Sequence, residues 1–235
     1  MIKRLLPVLI LFMLPLQAAA LFDTATDLYN KGDYLGAAAI YEARIESADV
    51  RGQNNPFLFY NLGNSYFKAG DIDRAILNYY RAFNILPRDR NIRGNLAFAM
   101  ASTGQSLAPE GMPDIVFNLY HYFSITELKG LLWLAVWLFA AALCVYIFTR
   151  RKRVLIAAAI ALIFFGTWYL MRLPAASERK AVVIMPRAEV RSGPGDSFPV
   201  SLSLPRAYIV VITDAKGDFA EVSGGWILKK SIEEI

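Results

Sequence analysis

One histidine, His121, and one cysteine, Cys144, are the whole supply of those two residues in this 235-residue chain. A Cys–His nucleophile pair needs both side chains in one site. Cys144, however, lies inside an uncharged apolar run, Gly130 to Thr149, and His121 lies outside it. One histidine can assemble neither a Ser-His-Asp set nor a metal-ligand cluster. Catalysis, a cofactor, a metal site and an intramolecular disulfide are therefore not expected. The chemistry left is recognition. Asn64 and Lys68 are four residues apart in a helical pattern and share a face. An amide beside an ammonium can hold a backbone carbonyl or a carboxylate of an extended peptide. His121 has two readings, a pH sensor or ligand and, favoured here, a member of an interfacial aromatic cluster.

The elements that must position Asn64 and Lys68 come from the stretch Pro56 to Asp89. It places Leu62-Gly63, Tyr66, Ala75, Tyr79, Ala82 and Pro87 at the spacing of a helix-turn-helix unit of about 34 residues. Gly63 and Ala75 are small where two helices cross closely, Tyr66 and Tyr79 fill the wedge between units, and Pro87 stops the second helix. The pattern resembles the tetratricopeptide repeat, with Phe59 where that family often has Trp. One unit cannot bury its own faces, so neighbours are expected. Upstream, Leu28 to Ala37 aligns with Tyr66 to Ala75, setting Gly32 on Gly70 and Tyr41 on Tyr79, with the polar loop Ser47 to Asn55 absorbing extra length. Downstream, Asn91 to Met100 restarts a first helix. The expected array covers 21–107, with units at 21–54 and 56–89 and a capping helix at 90–102.

The resemblance implies a concave protein-binding groove lined by the first helix of each unit. Its positions are Phe22 and Asn30, then Tyr60, Asn61, Asn64 and Lys68, then Asn91 and Asn95. This is similar to part of a carboxylate clamp, although Asn91 and Asn95 fill the further basic positions. The alternative is that these side chains are solvated or stack on neighbouring units.

Three apolar segments set the expected location. Residues 1–20 read as a secretory signal: Lys3 and Arg4, an apolar middle from Leu5 to Leu16, then Ala18-Ala19-Ala20. An uncleaved anchor is the alternative. Segments 130–149 and 154–171 carry no charge and are long enough to cross a bilayer. Arg150, Arg151, Lys152 and Arg153 join them in so short a loop that an antiparallel hairpin is forced, and four cations belong on the cytoplasmic side. Trp133, Trp168 and Tyr169 then fall at the outer interface. Both soluble parts are expected in the periplasm of a bacterial inner-membrane, multi-pass protein. The formal charge of +5 includes two cations in the signal and four in the loop, and without those six it becomes −1. The basicity is topological, so nucleic acid is not an expected partner. Within 108–129, Ile115 to Phe123 is aromatic and amphipathic, suited to the outer interface. Ser124 and Glu127 form the pattern of a capping box for the first span.

After a linker at 172–179 the texture changes to short β-branched runs: Ala181 to Ile184, Ala188 to Arg191, Tyr208 to Ile212, Phe219 to Val222 and Gly225 to Leu228. That spacing suits a small five- or six-stranded barrel. Val190-Arg191-Ser192-Gly193-Pro194-Gly195 followed by Gly225-Trp226-Ile227 resembles the bacterial SH3-type domain over 180–235. Ala207 departs from that pattern, where a Gly usually precedes the third strand, so a different turn is expected there. Such domains elsewhere bind cell-wall peptides or pack on a partner domain. Arg191, Phe198 and Trp226 are the candidate ligand surface; the competing assignment is core packing for Trp226 and turn support for Arg191.

The expected fold is thus a multidomain membrane protein: an all-α tetratricopeptide array, a two-helix transmembrane hairpin and a small all-β SH3-like barrel. The order of these modules resembles the BatE-type proteins of bacterial aerotolerance operons. That resemblance implies a non-enzymatic scaffold working beside membrane-anchored von Willebrand A-domain proteins and a MoxR-type ATPase. A peptidoglycan-sensing or tethering protein acting through the barrel is the alternative function.

Overall fold

The computed structural model describes residues 24–47, 55–109 and 111–235. The expected signal segment and Phe22 lie outside the described residues. The first body is a stack of helices: α1 (24–30), α2 (Tyr34–Ser47), α3 (Pro56–Lys68), α4 (Ile72–Ile85) and α5 (Arg90–Ser102). Local sequence sets their starts. Asn55 accepts from the Phe57 N–H at 3.0 Å with Pro56 opening α3, and Asp89 accepts from Asn91 and Ile92 to open α5. Leu86 caps the end of α4 immediately before Pro87. The turns at Gly32, Gly70 and Gly104 share a left-handed φ of 86°, 84° and 75°, which marks three successive units in register. α5 has no second helix of its own and closes the stack.

Close crossing of α3 and α4 depends on Gly63. A Cβ there would lie 2.6 Å from the Tyr79 ring, so the ring packs flat against bare backbone. Tyr66 carries the stack across units: its hydroxyl donates to Glu42 on α2, and the Arg74 guanidinium sits 5.3 Å from its ring centre. Ala37, Ala75, Ile76, Ala82, Ile92 and Leu96 complete a core with no measurable exposure.

Short α6 (Asp114–Tyr120) follows, holding Phe117 stacked on Phe83 while Ile115, Val116 and Leu119 stay exposed. α7 (Ile125–Thr149) and α8 (Lys152–Ser177) pack as a hairpin. Both are long and apolar enough to cross a membrane, with mean hydropathy 2.5 and 2.2 in the best window, and their side chains are mostly exposed, unlike those of a soluble core helix. The capping box is formed, with Ser124 Oγ accepting from the Glu127 N–H and Glu127 accepting from the Ser124 N–H. Arg88 at the end of the stack grips the same Glu127 carboxylate with both terminal nitrogens, at 2.5 and 3.1 Å. Three boundaries differ from the sequence expectation. The helices extend beyond 130–149 and 154–171. Arg150 and Arg151 alone form the connection, since Lys152 and Arg153 already belong to α8. No free linker occupies 172–179, because α8 continues through Pro174 to Ser177 and a strand begins at Arg179.

The last body is a seven-stranded antiparallel sheet: β1 (Arg179–Val183), β2 (Arg187–Arg191), β3 (Val200–Pro205), β4 (Ile209–Lys216), β5 (Phe219–Val222), β6 (Gly225–Leu228) and β7 (Ile232–Glu234). Its order is β3-β2-β6-β5-β4-β1-β7. Seven strands replace the five or six expected. β3 and β7, which the composition hid, are the two edges. Ala207, expected to alter its turn, instead adopts the left-handed φ of 67° itself, at a cost of about 1 kcal/mol. Its N–H donates to Val183 at 2.7 Å and its carbonyl accepts from Gln105 at 2.8 Å, which hold it there.

The bond from Gln105 belongs to a docking face between the two bodies. Val182, Ala207 and Ile209 join the hydrophobic core of the helical stack. Arg206 pairs with Asp73 at 2.7 Å and Asp71 at 3.2 Å. Gln105 brackets the start of β4, donating to the Ala207 carbonyl and accepting from the Ile209 N–H at 3.0 Å. Arg81 donates to the Glu234 carbonyl at 2.7 Å and Lys180 to the Tyr80 hydroxyl at 3.2 Å.

Candidate protein-binding site

Between α1, α3, α4 and α5 lies a hollow of about 330 Å³, lined by Tyr29 from α1, Tyr60, Asn64, Phe67 and Lys68 from α3, Tyr79 from α4, and Asn95 and Phe98 from α5. Its floor is a hydrogen-bond network. Tyr79 donates to Asn64 Oδ1 at 2.7 Å, and Asn95 donates to the same oxygen at 2.8 Å and to the Tyr60 hydroxyl at 3.2 Å. Burial pushes the Tyr79 phenol well up from its ordinary value, so it stays a donor at neutral pH. With Asn64 Oδ1 accepting twice, its NH₂ forms no hydrogen bond among the described residues, and Lys68 stands exposed at the rim. A fixed amide beside an exposed ammonium, flanked by Tyr and Phe rings, can grip one carbonyl or carboxylate and shelter an apolar side chain.

The expected groove residues therefore divide. Tyr60, Asn64, Lys68 and Asn95 converge. Asn61 is half-buried with its carbonyl accepting from Ser65 at 2.9 Å, Asn91 is exposed at the start of α5, and neither lines the hollow. Tyr29, Phe67, Tyr79 and Phe98 are additional. The repeat alignment held one usable signal for them, because it sets Leu28-Tyr29 on Tyr66-Phe67.

In the sheet, Arg191 donates to the Asp196 and Phe198 carbonyls at 3.1 and 2.9 Å and to the Glu189 carboxylate at 2.6 Å. Its guanidinium is thus committed to supporting the turn. The Phe198 ring rests on Gly193, and half-buried Trp226 stands opposite Arg191 in the ladder. Arg150, Arg151, Lys152 and Arg153 are exposed together where α7 turns into α8.

His121 sits in an aromatic cluster, its ring 4.2 Å from Phe117, 4.9 Å from Tyr120 and 5.7 Å from Phe83. Nδ1 lies 3.1 Å from the Phe117 carbonyl, which fixes the proton on that nitrogen. Burial, then the charge of Arg172, lowers its pKa to about 4, against an ordinary value near 6.5. The fold therefore binds neutral imidazole. Stability is full above the unfolded pKa and falls as pH drops from about 6.5 towards 4, where the unfolded chain takes up the proton first. After solvent screening the loss amounts to about 1–2 kcal/mol. His121→Phe should flatten the melting temperature across that window, and an unchanged pH slope would count against this assignment.

Compared with models of known protein families and with curated proteins, the chain matches none.

Proposed function

We propose that this chain is a non-enzymatic membrane adaptor that binds partner proteins through the concave face of a short tetratricopeptide array. In this reading α7 and α8 form a transmembrane hairpin with the Arg150–Arg153 cluster in the cytoplasm, and both soluble bodies stand in the periplasm. The observation that carries it is the hollow in which Asn64, Lys68, Tyr60 and Asn95 meet. Its polar groups are few, fixed and surrounded by aromatic rings, which is the make-up of a peptide-recognition surface. Partners of the kind that the BatE resemblance implies, membrane-anchored A-domain proteins served by a MoxR-type ATPase, fit a scaffold in an aerotolerance or envelope-stress complex. A wall-sensing role for the SH3-like body receives less support, because Arg191 is already engaged within its own turn.

Lys68 is exposed and forms no hydrogen bond or ion pair among the described residues, so Lys68→Glu tests the groove without disturbing the core. The expected result is at least a tenfold drop in partners recovered from crosslinked cells, with the chain's own abundance unchanged. Equal recovery would remove the groove from this account. Sedimentation of the full chain with purified peptidoglycan would instead favour the wall-sensing role.

A further inference from the structure

Arg172, near the C-terminal end of α8, is only 8% exposed, yet its Nε and Nη1 meet no hydrogen-bond partner among the described residues. It lines a cavity of about 170 Å³ where α4, the α6–α7 turn, α8 and β1 meet. Two anions reach that wall, the Glu178 carboxylate and the α-carboxylate of Ile235, and neither forms an ion pair with Arg172 among the described residues. Lys180 is itself a cation, held 3.4 Å from Glu178, whose carboxylate it occupies, and His121 is neutral at physiological pH. A guanidinium kept from water without an anion is costly, so the arrangement calls for one.

A second feature adjoins it. An apolar cleft of about 490 Å³ runs between α6 and α8, walled by Val116, Leu119, Phe164, Trp168 and Met171. Tyr120 separates the two spaces. It lines the cleft, its hydroxyl donates to the Met171 carbonyl at 2.9 Å, and its ring faces the Arg172 guanidinium at 4.7 Å. A buried cation with two unpartnered donors therefore adjoins an oily trough, with the Tyr120 ring between them, at the level where α8 leaves its apolar run.

We propose that these two spaces join into one phospholipid site when the Tyr120 ring turns aside, so that Arg172 Nε–H and Nη1–H donate to the phosphodiester and an acyl chain lies along the α6–α8 cleft. The occupant is an anionic glycerophospholipid of the surrounding leaflet. Guanidinium matches phosphate oxygens in charge and geometry, and no carboxylate pairs with Arg172 among the described residues. The site rests on the reading that α7 and α8 cross the bilayer.

The test is native mass spectrometry of the full chain released in mild detergent, with phosphatidylglycerol, phosphatidylcholine or inorganic phosphate added. One phosphatidylglycerol should be retained in preference to phosphatidylcholine, and millimolar inorganic phosphate should not displace it. Arg172→Gln should lower retention about tenfold, the loss of charge-assisted bonds. Thr167→Phe should fill the cleft and lower retention with Arg172 intact, which keeps the test decisive should Arg172→Gln fail to fold. Equal retention of both lipids, or retention unaffected by Thr167→Phe, would overturn the site. Displacement by inorganic phosphate would overturn the lipid as occupant and leave a free-anion pocket. A chain that washes off membranes in carbonate would instead overturn the membrane reading itself.

Discussion

Gly225→Ala should unfold the sheet domain while leaving the helical stack folded. Gly225 has φ +141°, a region closed to alanine, and a Cβ there would lie 2.2 Å from the Arg191 carbonyl oxygen. That oxygen belongs to the β2–β6 ladder, in which Arg191 faces Trp226, and it has no room to retreat. Backbone overlap and a forbidden φ together cost about 4 kcal/mol or more, a large share of the 5–15 kcal/mol that holds an ordinary domain. Gly217→Ala is the matched comparison: its φ is +55°, nothing lies within 4 Å of the added carbon, and the cost is about 1 kcal/mol. Limited proteolysis of the full chain in detergent should cut Gly225→Ala within 180–235 and spare Gly217→Ala. Equal resistance of the two variants would mean that the turn is not built as described.

Arg206→Glu should separate the two soluble bodies. Asp73 is 2% exposed and already shares its position with Asp71, so a third carboxylate there would face two others. Burial and then Asp71 raise the Asp73 carboxyl above its ordinary value even with Arg206 present. Removing a partner from a buried pair costs roughly 3–5 kcal/mol, and the half-exposed Arg206 places this case near about 3. The melting temperature should fall by roughly 6–12 °C for a chain of this size. Adding Asp73→Asn should restore part of the loss, because one of the three like charges is gone. A melting curve unchanged by Arg206→Glu would show that the apolar contacts of Val182 and Ile209 hold the bodies together unaided.

What the sequence made legible were features with local causes. Gly63 opposite Tyr79, the helix stop at Pro87 and the box of Ser124 and Glu127 are set by neighbours within about one turn or one repeat and are found where they were expected, and the two apolar runs lie inside longer helices, Ile125–Thr149 and Lys152–Ser177. β3 was hidden although Val200, Leu202 and Leu204 alternate with Ser201 and Ser203, because Pro199 and Pro205 bracket the run and argue against a strand; it is a mostly exposed edge, where proline is tolerated. Pro174 reads as a break, yet α8 passes through it, and the Glu178 N–H still reaches the Pro174 carbonyl at 3.1 Å. The clasp of Gln105 on Ala207 and Ile209 joins residues more than a hundred apart, and no periodicity encodes such a meeting. The groove was half legible for the same reason. Lys68 and Asn64 follow from helical spacing, whereas Phe98 and Tyr79 arrive from other helices and depend on how those helices stack.

The clasp between the two bodies also has a history in time. Asp71 precedes Arg206 by 135 residues, so on the ribosome the acidic pair emerges long before its partner exists. At a synthesis rate of about 5–20 residues per second, that interval is on the order of ten seconds. Throughout it, the outer flank of α4 is an uncovered apolar strip with two carboxylates at its edge. A chain cut short at the end of β3 lacks Ala207 and Ile209, so that part of the helical core stays open to water in unfinished copies.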